Sequence, residues 1–100
     1  MAWFDLPLKA VTRQAPDFVD ARVLVAATNE THTVPATAKY VVFSSTGDFF
    51  ARKNAVATVP VDTTDGTASE LNPAAWELTG VTTIGLISAA TPTITLAFYS

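Results

Sequence analysis

The residues that could carry acid–base chemistry in this chain of 100 residues are few and widely spaced. Its single histidine, His32, lies in a threonine-rich stretch. A Ser-His-Asp triad needs a histidine that contacts both a nucleophile and an orienting acid. No G-x-S-x-G motif or other nucleophile context accompanies His32. We therefore interpret it as a surface histidine on a strand, and we predict that the protein has no catalytic residue and is not an enzyme.

Three carboxylates, Asp62, Asp65 and Glu70, fall in the longest stretch that is rich in turn residues. A calcium ion needs several oxygen ligands that converge on one point, and the spacing here does not match the twelve-residue calcium loop. The Asp65-Gly66 pair is typical of an ordinary turn. We therefore expect no metal and no cofactor, and calcium at these carboxylates is the alternative.

Composition excludes several classes of function. The net charge is −3, with six scattered Lys and Arg residues, whereas nucleic-acid binding requires basic patches that neutralise phosphates. The chain has no cysteine, which excludes disulfides and thiolate metal sites. It begins without a basic, then apolar, leader pattern, and it contains no apolar run of the ~20 residues that a membrane span needs. We expect neither a nucleic acid nor a membrane as a partner.

Strand signals recur along the chain, and residues 93–99 give the clearest one. There Ile94, Leu96 and Phe98 alternate with Thr and other residues, which is the period of a half-buried strand. Further strands are predicted at residues 19–28, 31–34, 39–45, 49–53 and 82–88. Residues 74–78 are predicted to form a strand around Trp76 and Leu78, with a short turn of helix as the alternative. The predicted core consists of Val23, Val25, Val41, Phe43, Ile84, Leu86, Ile94, Leu96 and Phe98.

These signals predict an all-β, single-domain fold, an antiparallel β-sandwich or jelly roll of about seven or eight short strands. The turn cluster at residues 44–48 predicts a hairpin between residues 39–45 and 49–53. Residues 55–61 are extended, and Pro60 makes them an edge strand or a loop. Residues 62–73 form the longest predicted loop.

The chain is predicted to begin with an extended arm, residues 1–16, followed by the sandwich domain, residues 17–100. Pro7 and Pro16 interrupt regular structure in the arm. Its large apolar side chains need a surface to pack on, either on their own domain or on a neighbouring subunit. Phe50 and Arg52 are predicted to add to a partner-binding surface, because one ring of the Phe49-Phe50 pair must face away from the core. The candidate arm contacts are Trp3, Phe4, Leu6 and Leu8.

Three stretches resemble a group of small proteins that are encoded among the structural genes of tailed bacteriophages. They are PATAKYVVFSSTGDFFAR at residues 35–52, DGTASELNP at residues 65–73 and TLAFY at residues 95–99. The resemblance covers roughly residues 31–100 and not the arm, and it carries over no catalytic residue.

The resemblance implies a non-enzymatic virion component that assembles in the bacterial host cytoplasm. It would be a capsid decoration (cement) protein or a head–tail or tail accessory protein. The implied partners are capsid or tail subunits and further copies of the chain itself, since such proteins bind at symmetric positions. The alternative is a small carbohydrate-binding or receptor-binding module of a tail fibre, which an exposed row of Trp or Tyr side chains would favour.

Overall fold

The computed structural model describes residues 15–100, and within this range the chain forms eight β-strands and no helix. The all-β prediction is confirmed. The strands are β1 (Phe18–Val23), β2 (Glu30–Thr33), β3 (Tyr40–Ser45), β4 (Phe50–Lys53), β5 (Glu70–Leu71), β6 (Ala75–Glu77), β7 (Thr83–Ile87) and β8 (Thr93–Tyr99).

The strands form two antiparallel sheets of four strands each. The front sheet has the order β1-β8-β3-β6, and the back sheet has the order β2-β7-β4-β5. The pairs β1–β8, β2–β7, β3–β6 and β4–β5 are those of one long hairpin whose tip is the β4–β5 connection. Two further pairs, β3–β8 and β4–β7, join the sides of that hairpin after it rolls up. This strand order is that of a jelly roll.

The predicted hairpin between β3 and β4 is wrong. β3 pairs with β8 and β6 in the front sheet, and β4 pairs with β7 and β5 in the back sheet. The connection between them therefore crosses from one sheet to the other. Residues 55–61 form no strand, and the predicted strand around Trp76 is present as β6.

The core lies between the two sheets, and seven of its nine predicted members are buried there, from Val41 to Phe98. Aromatic contacts cross the layer at its centre. The ring of Phe43 lies edge-on to Trp76 at a centroid distance of 5.0 Å and tilted against Phe49 at 5.8 Å. Such pairs stabilise a core beyond the area that they bury.

Val23 and Val25 are the two core predictions that are wrong, with exposed fractions of 65% and 63%. Leu24 lies inside instead and is 1% exposed. The sequence pattern predicts the alternation in β1 correctly, but it predicts the wrong side as the buried one. The inner side carries Asp20 and Arg22, and these polar side chains lie at the edge of the sandwich, where partners on β2 bind them.

The outer side of the back sheet is covered by its own chain. Gly85 of β7 lies so close to residues 55–57 that a Cβ atom on it would be 2.4 Å from the Ala55 carbonyl oxygen and 2.7 Å from the Ala57 nitrogen. The backbone N–H of Ala57 donates to Oδ1 of Asn29 at 2.8 Å. Ala57 is 1% exposed, and Ile87, on the same side of β7 as Gly85, is also buried. The β4–β5 connection is therefore a lid on this sheet.

Candidate interaction surface

Within residues 15–100, the outer side of the front sheet has no such lid, and several of its side chains are exposed. Its members follow from the register, because each residue next to an inward side chain on a strand points outward. We call this set of twelve residues the front face. It comprises Val19, Ala21, Val23, Tyr40, Val42, Ser44, Ala75, Glu77, Thr93, Thr95, Ala97 and Tyr99.

The front face is almost free of charge, since Glu77 at the β6 edge is the only Asp, Glu, Lys, Arg or His among its twelve residues. Val19, Val23 and Tyr40 are more than half exposed. Along the middle of the face, Val42 and Thr95 are half-buried, and Ala97 is buried between its larger neighbours. Half of the face consists of valine and alanine side chains, and the polar side chains of the other half are uncharged hydroxyls apart from Glu77.

Two of the predicted partner-binding residues are described by the structure, and neither is part of the front face. Phe50 and Arg52 point outward from β4 on the back sheet, and both are half-buried. Phe49 supplies the buried ring of the Phe49-Phe50 pair, at 2% exposure. The remaining candidates lie outside the described residues; these are Trp3, Phe4, Leu6 and Leu8.

Polar pairs close one edge of the sandwich, between β1 and β2. His32 Nε2 lies 2.8 Å from Oδ2 of Asp20, and Arg22 donates to Oε1 of Glu30. Each pair joins the front sheet to the back sheet. An open groove of about 660 Å³ lies beside them, with Phe18 on its wall.

His32 is less exposed than a surface histidine would be. Its side chain is 18% exposed and stacks on the buried ring of Phe98 at a centroid distance of 6.0 Å. An Asp–His pair is two-thirds of a hydrolytic triad. Within residues 15–100, however, no hydroxyl side chain makes a hydrogen bond to the His32 ring. The arrangement is that of a structural pair which joins the two sheets.

The three loop carboxylates do not converge. Glu70 accepts a hydrogen bond from the indole N–H of Trp76 at 3.0 Å. Asp65 accepts bonds from the Thr67 hydroxyl at 2.6 Å and from the Thr67 backbone N–H at 3.1 Å. These two bonds, the hydroxyl first, hold the pKa of the Asp65 carboxyl below its usual value. In the described part of the chain, no three His, Cys, Asp or Glu side chains are grouped as a metal site would require.

The other edge of the sandwich, between β6 and the strands β4 and β5, is closed around Trp76. This side chain is 9% exposed. The Lys53 ammonium lies 5.6 Å from the centre of its ring, which is within the range of a cation–π interaction. Because the indole is enclosed in this way, Trp76 is not part of an exposed aromatic platform.

The front face was missed from the sequence alone, although one signal for it was present. The low charge of residues 81–100 is evident in the sequence, but it does not indicate which other strands would contribute to an uncharged surface. The alternation in β8 indicates which of its sides is outward, but no local pattern identifies β1 and β3 as the strands that lie beside it.

No family model matches the chain, and neither a curated protein nor a solved structure was found to be significantly similar to it. Within residues 15–100 there is also no helix of the length and apolarity that would allow it to cross a membrane.

Proposed function

We propose that this protein is a non-enzymatic structural subunit of a phage virion. It would be a capsid decoration protein, or a head–tail or tail accessory protein, that bridges neighbouring subunits. The observation that carries the proposal is the front face, a β-sheet surface with one charged residue among twelve. Surfaces buried in assemblies are depleted of charge at their centres, and exposed apolar patches mark interaction sites.

The two outer sides of the sandwich differ in a way that supports this role. The back sheet is covered by residues 55–57 of its own chain, whereas Val19, Val23 and Tyr40 remain exposed on the front face. The resemblance to phage structural proteins is the reason for proposing a virion as the assembly. We propose the arm residues Trp3 and Phe4 as additional contacts to a neighbouring subunit.

The sugar-binding alternative receives less support. Aromatic platforms for sugars need exposed rings, and Trp76 is buried with its N–H engaged by Glu70. Tyr40 is exposed and lies opposite Tyr99 in the β3–β8 register. The other exposed ring of the described residues, Phe18, lies on the opposite side of the front sheet from Tyr40, so the two do not form a row.

The proposal is tested with purified protein and with virions of the encoding phage that have been assembled without it. The wild-type protein should bind these particles at a fixed copy number, measured by densitometry and located by cryo-electron microscopy. The double variant Tyr40→Lys/Ser44→Lys places two charges on the front face and should lose this binding.

The matched control places the same two charges elsewhere. Val56 and Val61 are 60% and 84% exposed and do not belong to the front face, so Val56→Lys/Val61→Lys should bind normally. A protein that is absent from wild-type virions would overturn the virion assignment. Equal binding by both double variants would instead exclude the front face as the contact.

A second variant, Trp3→Ala/Phe4→Ala in the full-length chain, tests the arm separately. Weakened particle binding with an unchanged melting temperature is expected if these rings contact a neighbouring subunit. A large fall in melting temperature would show that they pack on their own domain.

A further inference from the structure

β1 is an edge strand with an open side. In the described residues it pairs with β8 alone. The backbone N–H of Leu24 donates to the Pro92 carbonyl at 3.0 Å. Because hydrogen bonding alternates along an antiparallel strand, the even-numbered residues of β1 face β8. The N–H and C=O groups of Val19, Ala21 and Val23 therefore point away from the sheet.

Natural proteins protect such edges with proline, lysine or a bulge. β1 has the sequence FVDARV, which contains neither proline nor lysine, and its register with β8 runs without interruption over all six residues. Phe18, Val19 and Val23 are each more than half exposed. This edge is thus able to accept another strand.

The sequence of β1 is complementary to itself in one antiparallel register. If Ala21 lies opposite Ala21 of a second copy, Val19 lies opposite Val23, and Asp20 lies opposite Arg22. Phe18 then faces Leu24, so apolar residues meet apolar residues. In this register Val19, Ala21 and Val23 pair with one another. Their N–H and C=O groups point to the open edge, so they can form the hydrogen bonds of an antiparallel ladder.

The charges select this register. The N–H and C=O groups of Val19, Ala21 and Val23 could also pair between copies if the register shifted by two residues in either direction. Such a shift places Asp20 opposite Asp20, or Arg22 opposite Arg22, and like charges directly opposite each other are destabilising. Inward-pointing charges on an edge strand often prevent pairing with another strand. Here Asp20 and Arg22 have opposite signs on either side of Ala21, so the register centred on Ala21 is favourable.

Both charged side chains are still accessible. The Arg22 side chain is 49% exposed while it binds Glu30, and the Asp20 side chain is 39% exposed while it binds His32. Pairing of two copies would therefore bring Asp20 of one copy next to Arg22 of the other, while Arg22 remains beside Glu30 and Asp20 beside His32 within each copy.

We propose that two copies of the chain associate through β1, antiparallel about a two-fold axis at Ala21, so that their front sheets join into one sheet of eight strands. This contact is a recognised mode of association, in which main-chain hydrogen bonds at a sheet edge supply the affinity. It would also make the two front faces continuous, which doubles the uncharged surface. The pairing does not depend on the virion assignment.

The first experiment measures dimerisation of the full-length chain by sedimentation equilibrium. Ala21→Pro removes an N–H that the β1–β8 ladder does not use, and proline is tolerated where an edge N–H faces solvent. This variant should raise the dimer Kd by at least about tenfold and leave the circular dichroism spectrum unchanged. Ala21→Thr keeps the N–H and should dimerise normally.

The second experiment uses charge exchange and tests the register. Asp20→Lys alone opposes Lys to Arg22, and Arg22→Glu alone opposes Glu to Asp20, so each variant should remain monomeric. An equimolar mixture restores opposite charges at both positions and should form a heterodimer. This recovery also shows that both variants are folded.

Three results would overturn the proposal. The first is a wild-type chain that stays monomeric at all accessible concentrations, and the second is a dimer that Ala21→Pro does not weaken. The third is a monomer in which the amides of Val19, Ala21 and Val23 are protected from hydrogen exchange. That outcome would show that the same chain covers this edge.

Discussion

The indole N–H of Trp76, on β6 of the front sheet, donates a 3.0 Å hydrogen bond to Oε1 of Glu70, on β5 of the back sheet. The bond joins the two layers at the edge opposite to the Asp20–His32 pair. The same oxygen of Glu70 is used to satisfy a buried donor, and within residues 15–100 Glu70 is not grouped with two other possible metal ligands.

Glu70→Ala should lower the free energy of unfolding by about 1–3 kcal/mol, because it leaves the Trp76 N–H buried without an acceptor. Chemical denaturation followed by circular dichroism measures the change. Glu77→Ala is the matched control, since Glu77 is exposed and its only side-chain hydrogen bond within residues 15–100 is to the exposed Thr79 hydroxyl. It should cost less than about 0.5 kcal/mol. Equal losses in the two variants would contradict the inter-sheet role of Glu70.

Leu24→Ala should destabilise the protein by about 2–5 kcal/mol, because Leu24 is 1% exposed and its truncation leaves a cavity. Val23→Ala removes a side chain that is 65% exposed and should cost less than about 1 kcal/mol. The two melting temperatures, measured side by side, report which face of β1 is inside. A larger loss for Val23→Ala would reverse the assignment.

For strand β1, the sequence predicts the position of the strand but not which of its sides is buried. Alternation located the strand, but both of its sides contain valine or leucine, and apolar character alone favoured Val23 over Leu24. The inner side carries Asp20 and Arg22, which a local pattern assigns to solvent. Asp20 and Arg22 can lie on the inner side because His32 and Glu30 of β2 bind them across the sandwich edge. The sequence of β1 alone does not predict where β2 lies.

Strand β8 is the opposite case, since residues 93–99 were predicted with the correct bounds and the correct inner face. Its Ile94, Leu96 and Phe98 alternate with Thr and Ala, so the difference between the two faces is unambiguous. Its partners β1 and β3 are far away in sequence, and no local signal identifies them. The front face combines residues from four strands, and it could not be assembled before those pairings were known.

Asp65 should titrate below the usual value for an aspartate, and Thr67→Val should raise its pKa towards that value by removing the hydroxyl donor. A lowered pKa in the folded state contributes stability above the pKa of the unfolded chain, and this contribution is lost as the pH falls through the folded value. Carboxyl chemical shifts followed by NMR measure the midpoint. Thr67→Ser keeps the hydroxyl and should leave it unchanged, and equal midpoints in the Val and Ser variants would exclude the hydroxyl as the cause.

Gly85→Ala should destabilise the protein by about 1–3 kcal/mol, as expected for overpacking at a close backbone contact. A Cβ atom there would lie 2.4 Å from the Ala55 carbonyl oxygen and 3.0 Å from Oδ1 of Asn29. Backbone cannot move aside as a flexible side chain can, so residues 55–57 must lift from the back sheet. Differential scanning calorimetry would measure the loss, and faster hydrogen exchange at the Ala57 amide would locate it.

Gly47→Ala provides the control for this substitution. Its Cβ would lie 3.4 Å from the Cβ of Pro92, a contact that a small shift can relieve. Stability should be unchanged or higher by up to about 1 kcal/mol, because alanine restricts the unfolded chain. If Gly85→Ala proved as harmless as Gly47→Ala, residues 55–57 would not cover the back sheet. The difference between the two outer sides of the sandwich, on which the choice of the front face as the interaction surface depends, would then be lost.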